Sequence, residues 1–406
     1  MPSHEEFMIE ALSLARHGIG WTSPNPIVGA LVVRDGIVLG RGWHERFGAA
    51  HAEVAALGQA GGRARGATMY VTLEPCNHQG KTPPCVSAIV KAGIQRVVIG
   101  VRDPNPVAQG GAAALRAAGV EVIEGVLDAE CRLALAPFFR YIRTKRPLVS
   151  AKWAMTVDGK IATVRGDSKW ITSAKARAFA HTLRAAHDAV MIGIGTVLTD
   201  APLLTARLGL AAPDGASWQP RRVILDSQAR MPLDAPLWTA ENGGPIVIFV
   251  GEQADAGRIG ELQDKGAEVV QVPGEADRLS IDAVLGKLAE MGVLSLYVEG
   301  GAEVLGSFVD AKAVDRVYVF IAPKIIGGRE GVTAVRGRGV DRISQCQEMN
   351  VQQVRQFDQD LMIEGRVGDW AWLEAEYAKP ARRSSRRQKR SAGDESAAPS
   401  GRNAGG

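Results

Sequence analysis

The chain has 406 residues, 46% of them apolar, which is too long for one ordinary domain and ample for two or three packed cores. Its net charge of +4 is a tail effect: residues 379–406 hold eight Lys or Arg against two acids, a net of +6, so the rest of the chain is −2 and argues against a nucleic-acid-binding body. The polar start Met1-Pro-Ser-His-Glu-Glu-Phe7 lacks the basic segment and apolar core of a secretory signal, no apolar run is long enough to span a bilayer, and four cysteines with two at metal-ligand spacing suit a reducing compartment, so a cytoplasmic enzyme is expected.

Apolar periodicity predicts a helix over 5–16, then strands over 28–33 and 37–42 joined at Asp35-Gly36, a strong hairpin dipeptide. A helix over 52–60, a strand over 68–73, a helix over 85–92, a strand over 96–101, a helix over 112–118, a strand over 120–124 and a helix over 133–142 follow. Strands alternating with helices indicate a layered α/β domain. The basic, proline-containing stretch Arg143-Thr-Lys-Arg-Pro147 is the candidate boundary. Beyond it, strands over 148–153, 189–192, 223–225, 246–250, 295–298 and 316–321, with helices over 174–186, 281–291 and 302–310, predict a second α/β domain. The expected division is therefore 1–146, 147–368 and a basic tail, 369–406, which lacks the apolar pattern needed to offset ordering entropy and reads as disordered.

The chemistry is concentrated in His51-Ala-Glu53, followed by Pro75-Cys76 and Cys85. One histidine and two cysteines are three zinc ligands that leave a tetrahedral position open, as a catalytic rather than a structural site requires. The H-x-E and Pro-Cys arrangement is that of zinc-dependent deaminases, in which a carboxylate such as Glu53 moves protons without ligating the ion. On a regular helix His51 and Glu53 cannot share a face, which puts His51 at the cap and Glu53 in the first turn. A closed site with His44 or His78 as fourth ligand is the alternative. Cys131 and Cys346 read as ordinary thiols, and His4, His17, His181 and His187 as non-functional.

The usual deaminase signature has two residues between its cysteines, whereas eight separate Cys76 from Cys85. The segment Glu74-Pro-Cys-Asn-His-Gln-Gly-Lys-Thr-Pro-Pro-Cys85, with Pro24-Asn-Pro-Ile-Val-Gly29 and Gly42-Trp-His44 upstream, resembles the deaminase half of the bifunctional riboflavin-biosynthesis deaminase/reductases over most of residues 1–145. The resemblance implies a cytidine-deaminase-like three-layer α/β/α domain with one Zn2+ on His51, Cys76 and Cys85, Glu53 as acid/base, and Asn25, His44, His78 and Lys81 lining the substrate pocket. Pro24-Asn25-Pro26 is also turn chemistry in its own right.

No G-x-G-x-x-G follows a strand in the second half. Two strands instead run into glycines, at Gly193-Ile-Gly195-Thr196 and at Glu299-Gly-Gly-Ala-Glu-Val-Leu-Gly306-Ser307, where backbone N–H groups could approach a pyrophosphate or simply make tight turns. Together with Ala151-Lys-Trp-Ala-Met-Thr-Val-Asp-Gly-Lys160, Asp167-Ser-Lys-Trp-Ile-Thr-Ser173 and Ala322-Pro-Lys-Ile-Ile-Gly-Gly328 they resemble the reductase half of the same enzymes over about 147–367, which implies a dihydrofolate-reductase-like α/β fold. By that resemblance NADPH would meet Ala154, Trp170, Thr196, Asp200, Ser227, Gly301, Ala302, Glu303, Val304, Leu305, Gly306 and Ser307. Substrate would meet Ser168, Arg184, Leu204, Arg207 and Glu299, the two arginines being chemically suited to hold a phosphate. Ala201 stands where the family often has a second acid beside Asp200.

The implied activity is hydrolysis of the 2-amino group of 2,5-diamino-6-(5-phosphoribosylamino)pyrimidin-4(3H)-one, then NADPH-dependent reduction of the ribosyl chain to ribityl. The expected partner is this small phosphoribosyl pyrimidine, with neither membrane nor nucleic acid, and the expected assembly is a homo-oligomer. A nucleobase or tRNA deaminase with an inactive reductase-like domain is the competing reading, and the −2 body counts against it. A zinc-stabilised binding protein is a third.

Overall fold

Two sheets organise the chain, and the computed structural model describes residues 2–78, 83–207, 218–275 and 278–374. Helix α1 (His4–Ala15) is started by a capping box, Ser3 accepting from the Glu6 N–H and Glu6 accepting from the Ser3 N–H. Strands β1 (Gly29–Arg34) and β2 (Ile37–Trp43) turn at Asp35 and Gly36, both at positive φ, as a two-residue hairpin demands. There follow α2 (Ala52–Ala60), β3 (Thr68–Leu73), α3 (Cys85–Ala92), β4 (Arg96–Val101), α4 (Gly111–Ala117), β5 (Glu121–Glu124), α5 (Asp128–Ala134) and α6 (Ala136–Thr144). The sheet order is β2-β1-β3-β4-β5, antiparallel at the hairpin and parallel from β3 onward. Side chains alternate across it: Ala30 and Val32 pack with α2, α3 and α4, while Leu31 and Val33 pack with α1, α5 and α6. A three-layer α/β/α domain results.

The single helix expected over 133–142 is two. The break at Leu135 is followed by Pro137, whose missing N–H is harmless only in a first turn, so α6 starts there as a new helix.

The chain enters the second sheet between Thr144 and Leu148. Its elements are β6 (Leu148–Thr156), β7 (Lys160–Ala162), α7 (Ala174–Ala185), β8 (Ala189–Gly193), α8 (Ile194–Asp200), β9 (Arg221–Leu225), β10 (Ile246–Gly251), α9 (Ala256–Asp264), β11 (Glu268–Val272), β12 (Gly274–Glu275), β13 (Arg278–Leu279), α10 (Ile281–Glu290), β14 (Ser295–Gly300), α11 (Ala302–Asp310), β15 (Arg316–Ala322), β16 (Val332–Thr333), β17 (Met349–Phe357), β18 (Asp360–Val367) and α12 (Ala371–Glu374). Nine strands run in the order β11-β10-β9-β8-β14-β6-β15-β18-β17, parallel as far as β15 and antiparallel through β18 and β17. Val247 and Phe249 face the layer of α10 and α11; Ile248 and Val250 face that of α7 and α9.

Strands β7, β11, β12, β13 and β16 and helices α8 and α9 were not expected from the sequence, and two further features depart from expectation. The β17–β18 hairpin was not expected, because β17 is exposed along nearly its whole length and carries no apolar alternation. Residues 369–374, assigned from sequence to a disordered tail, instead fold back: Trp370 and Leu373 are buried with Phe138 and Phe139 in the core of the first domain. Arg132 donates to the Leu373 carbonyl and Arg143 to that of Trp372. The remainder of the tail, 375–406, lies outside the described residues. Among the described residues no helix is long and apolar enough to cross a membrane.

The first domain abuts the amino ends of β6, β8 and β14, where Leu148 and Leu294 join its core. The glycine-rich turns after β8 and β14 are at the opposite, carboxyl ends, the edge at which open α/β sheets ordinarily bind ligands.

Candidate functional site

Helix α2 can lie close to β2 because residue 42 is glycine: a Cβ there would sit 2.2 Å from the Ala52 carbonyl oxygen. His51 occupies the N-cap of α2 with extended backbone, yet its side chain caps nothing. The ring is turned to the thiols, with Nδ1 3.2 Å from Cys85 Sγ and 3.6 Å from Cys76 Sγ. Cys76 lies in the loop leaving β3, and Cys85 opens α3 behind Pro84 and donates its N–H to Cys76 Sγ at 3.5 Å. Zinc bonds of about 2.3 Å to sulfur and 2.0 Å to nitrogen at a tetrahedral angle need about 3.5 Å between such atoms, so this donor set fits the ion. Among the described residues these three form the group of His, Cys, Asp and Glu able to hold a metal, with ligand atoms within 4.8 Å of one another. His44 is not part of it: Nε2 faces Asn25 Nδ2 at 3.2 Å and Nδ1 faces the Ala50 carbonyl at 3.1 Å.

Electrostatics suit the set. Hydrogen bonding with Cys85 holds the Cys76 thiol down to about 4, and the same bond with burial pushes Cys85 up. The bond to Cys76 raises His51, and burial raises Glu53, which is 4% exposed in the first turn of α2. His51, Glu53 and Cys76 open onto a cavity of about 280 Å³ that Asn25, His44, His78, Asp103 and Asn105 also line, with Cys85 buried behind them. Burial, reinforced by Glu74, pushes Asp103 up to about 7. Glu74 itself ties the far wall down, its carboxylate accepting from the N–H groups of Asp103, Gly110 and Ala112.

At the carboxyl edge of the second sheet, β8 and β14 are neighbours and each runs into a glycine turn. Gly301, at φ 73°, is the N-cap of α11, and a Cβ on it would come within 3.1 Å of Thr196 Oγ1. Gly193, Thr196, Gly301 and Val304 are thus gathered into one backbone-lined cradle suited to a pyrophosphate. Asp200 ends α8 and Ser227 follows β9 on the same edge, while Ala154 packs under it in β6. Trp170 is 64% exposed, with the Arg177 guanidinium 4.3 Å from its ring. Nearby, Arg184 grips Glu299 bidentately at 2.9 and 2.6 Å and donates to the Thr205 carbonyl, next to buried Leu204. The fork expected to hold a phosphate is therefore closed on a carboxylate. Burial alone would raise Glu299, but the Arg184 and Lys152 charges hold it below its ordinary value. Burial lowers Lys152, and burial with Arg184, Arg207 and Lys152 lowers His181 to about 4.

The RibD C-terminal domain family matches residues 147–363, and the cytidine and deoxycytidylate deaminase zinc-binding region matches residues 1–101. The chain is 44% identical over 360 residues to the riboflavin biosynthesis protein RibD of Aquifex aeolicus, covering 88% of this chain and 97% of that one. The chain belongs to the RibD family. To the Escherichia coli RibD it is 34% identical over 368 residues, 88% of this chain and 98% of the other. A diaminohydroxyphosphoribosylaminopyrimidine deaminase/5-amino-6-(5-phosphoribosylamino)uracil reductase from Thermotoga maritima superposes with a TM-score of 0.78 at 39% identity, over 90% of this chain and 99% of that one. Acinetobacter baumannii RibD does so with 0.80 at 32%, with the same coverage. The chain is accordingly a bifunctional deaminase and reductase of riboflavin biosynthesis, with a zinc-binding deaminase domain and an NADPH-dependent, dihydrofolate-reductase-like domain.

In this RibD chain His51, Cys76, Glu53, Asn25, His44 and His78 surround one cavity and Cys85 lies behind it within the same donor set, while Lys81 lies outside the described residues. Arg184, Leu204 and Glu299 are brought together, exposed Arg207 is near enough to act on His181, and Ser168 lies on the loop after β7. Four residues escaped the sequence. Asp103 and Asn105 carried a usable signal, a strand ending in Asp-Pro-Asn-Pro. Lys152 read as an ordinary strand residue, and His181 was set aside as a lone histidine, since nothing local shows that β6 and α7 converge on Glu299.

Proposed function

We propose that the deaminase half acts on 2,5-diamino-6-(5-phosphoribosylamino)pyrimidin-4(3H)-one, with Glu53 as its acid/base and His51, Cys76 and Cys85 as the residues that would hold zinc. The observation that carries this is a buried carboxylate beside a three-donor set, both facing a cavity of about 280 Å³. Zinc, when bound, supplies a Lewis acid that brings the pKa of water to about 7. Glu53, raised by burial, can accept the proton of the attacking water and return it to the ring nitrogen and the leaving amine. Asn25 offers an amide to the pyrimidine edge and is oriented by His44; His78 would meet the phosphoribosyl end, and Asp103 and Asn105 complete the wall, with Lys81 assigned to the same end by the family motif alone.

In the reductase half NADPH, when bound, supplies the hydride. The cradle of Gly193, Thr196 and Gly301, continued along Ala302, Glu303, Val304, Leu305, Gly306 and Ser307, would bind its pyrophosphate, with Ala154, Trp170, Asp200 and Ser227 as further contacts. Ser168, Leu204, Arg207, Arg184 and Glu299 would receive the substrate. Arg207 suits the phosphate better than Arg184, whose guanidinium orients Glu299, and Lys152 can deliver a proton to the opening sugar.

A cytoplasmic site of action belongs to the same proposal, because thiol ligands must remain reduced. So does a homo-oligomer. Among the described residues strand β17 is an edge of the nine-stranded sheet, with Val351 and Val354 more than half exposed, an arrangement that pairing with a second copy would cover. Ammonia release and NADPH absorbance followed together on the diaminopyrimidine phosphoriboside test the whole reading. Absorbance loss should wait on ammonia release, and consumption of NADPH without any ammonia would refute it.

A further inference from the structure

The loop between α1 and β1 carries Asn25, and it is fastened to the other half of the molecule. The turn is closed by the Asn25 N–H donating to the Thr22 carbonyl at 2.8 Å, and inside it Ser23 Oγ donates to Asp188 Oδ1 at 2.7 Å. Asp188 stands at the amino end of β8 and is 7% exposed. Its Oδ2 is already occupied by the N–H groups of Leu294 and Ser295, at 2.8 and 3.0 Å, and its own N–H donates to Ser295 Oγ. The carboxylate is thus locked to the reductase sheet through one oxygen, and its other oxygen is presented to Ser23.

What lies behind the loop gives this contact weight. A second cavity, of about 200 Å³, separates the halves, with His187, Asp188 and Arg316 on its reductase side. Asn25, Pro26 and Phe138 line both this cavity and the deaminase cavity, so the Asn25 turn is a partition with open space on either face. A wall without packing behind it takes its position from its anchors. Besides the Ser23 bond, the loop meets the reductase half at Trp218, whose ring is 5.6 Å from that of Trp21, and at Gly292, where a Cβ would come 3.6 Å from the Pro24 ring; both are apolar contacts, and Ser23 supplies the directional bond.

We propose that Asp188 and Ser23 form a latch through which the reductase domain positions Asn25, so that the substrate site of the deaminase is complete only with the reductase sheet in place. Ser23 and Asp188 are positioning residues: neither lines the deaminase cavity, and they act through the Asn25 amide, which must meet both His44 and the pyrimidine edge. The inference rests on the reading of Asn25 as a substrate contact. A loose partition leaves the zinc ligands and Glu53 where they are, so the latch governs substrate affinity and not the chemical step.

The test uses the full-length zinc enzyme and the diaminopyrimidine phosphoriboside, with Ser23→Ala, Ser23→Thr and Asn25→Ala. Loss of one hydrogen bond, felt by the substrate only through the Asn25 turn, predicts that Ser23→Ala raises the deaminase KM about three- to tenfold with kcat within about twofold. Zinc content and reductase kinetics on the deaminated product stay unchanged, and Ser23→Thr, which keeps the hydroxyl, restores KM. If Asn25→Ala raises KM and Ser23→Ala does not, the latch is refuted and the role of Asn25 survives. If Asn25→Ala leaves KM unchanged, the role of Asn25 fails and the latch with it. If Ser23→Ala depresses both activities together, the bond is a general fold contact and the inference is overturned.

Discussion

The two active sites are assembled on different length scales. The deaminase donors all fall between residues 51 and 85, on the starts of two helices and the loop after one strand, so their spacing alone reports the chemistry. The reductase cluster draws Lys152 from β6, His181 and Arg184 from α7 and Glu299 from β14, and only the sheet makes them neighbours. The electrostatics differ in kind as well. At the zinc site the donors are an imidazole and two thiols in mutual contact, a set suited to a cation. At the reductase site a largely buried carboxylate is already neutralised by Arg184 and Lys152. A short-range donor set is robust to small shifts of distant elements, whereas a charge cluster drawn from three elements reports on the integrity of the whole sheet.

The sharpest separation of the two comes from Glu53→Gln. Removing the proton carrier while preserving shape should lower deamination roughly 100- to 10,000-fold. Metal analysis should still find zinc, and NADPH oxidation on pre-deaminated substrate should be unaffected. Parallel loss of reductase activity would mean that the halves are not chemically independent.

Glu299→Gln should act through the fold as well as the chemistry. It leaves the Arg184 and Lys152 charges without their anion, a loss of about 3–5 kcal/mol for a broken buried pair. Chemical denaturation should show that loss, with reductase activity abolished and deamination retained below the new midpoint. An unchanged midpoint would show that the charge cluster is solvated in solution.

The smallest effect probes the junction. Asp315 accepts from the Val149 N–H and pairs with Arg140 across the halves at 3.1 Å, and burial pushes it up to about 6 despite that partner. Its folded pKa lies above the ordinary carboxylate value, so folding takes up a proton. The group's contribution is therefore fully present below about pH 4 and is lost as pH climbs through about 6, a change on the order of 3 kcal/mol. The difference in urea-derived stability between the native protein and Asp315→Asn should change accordingly between pH 4 and 8, the titration of Asp103 and His181 being common to both. A difference that does not vary with pH would place Asp315 in solvent.

Most deaminase elements were legible within a residue or two, because buried strands and amphipathic helices write their period into the sequence. Among the elements that escaped, two share a cause. Strand β17 is held by ladder hydrogen bonds to β18 and needs no apolar face; α12 is one turn long and owes its order to Trp370 and Leu373 entering another domain's core. Neither interaction leaves a local pattern. Asn25 was legible as a candidate from its motif, but not the Ser23 bond that holds its loop to Asp188.

The amino-acid order alone marked His51, Cys76 and Cys85 as a donor set, Glu53 as the carboxylate beside it and the alternation that makes both halves α/β, since each depends on residues close in the chain or on a repeat of two or 3.6. Tertiary structure decided that Arg184 turns onto Glu299, that Lys152 joins them, and that Asp188 reaches into the deaminase loop. Those pairings depend on strand register and on how two independently patterned sheets meet, and no local spacing encodes either.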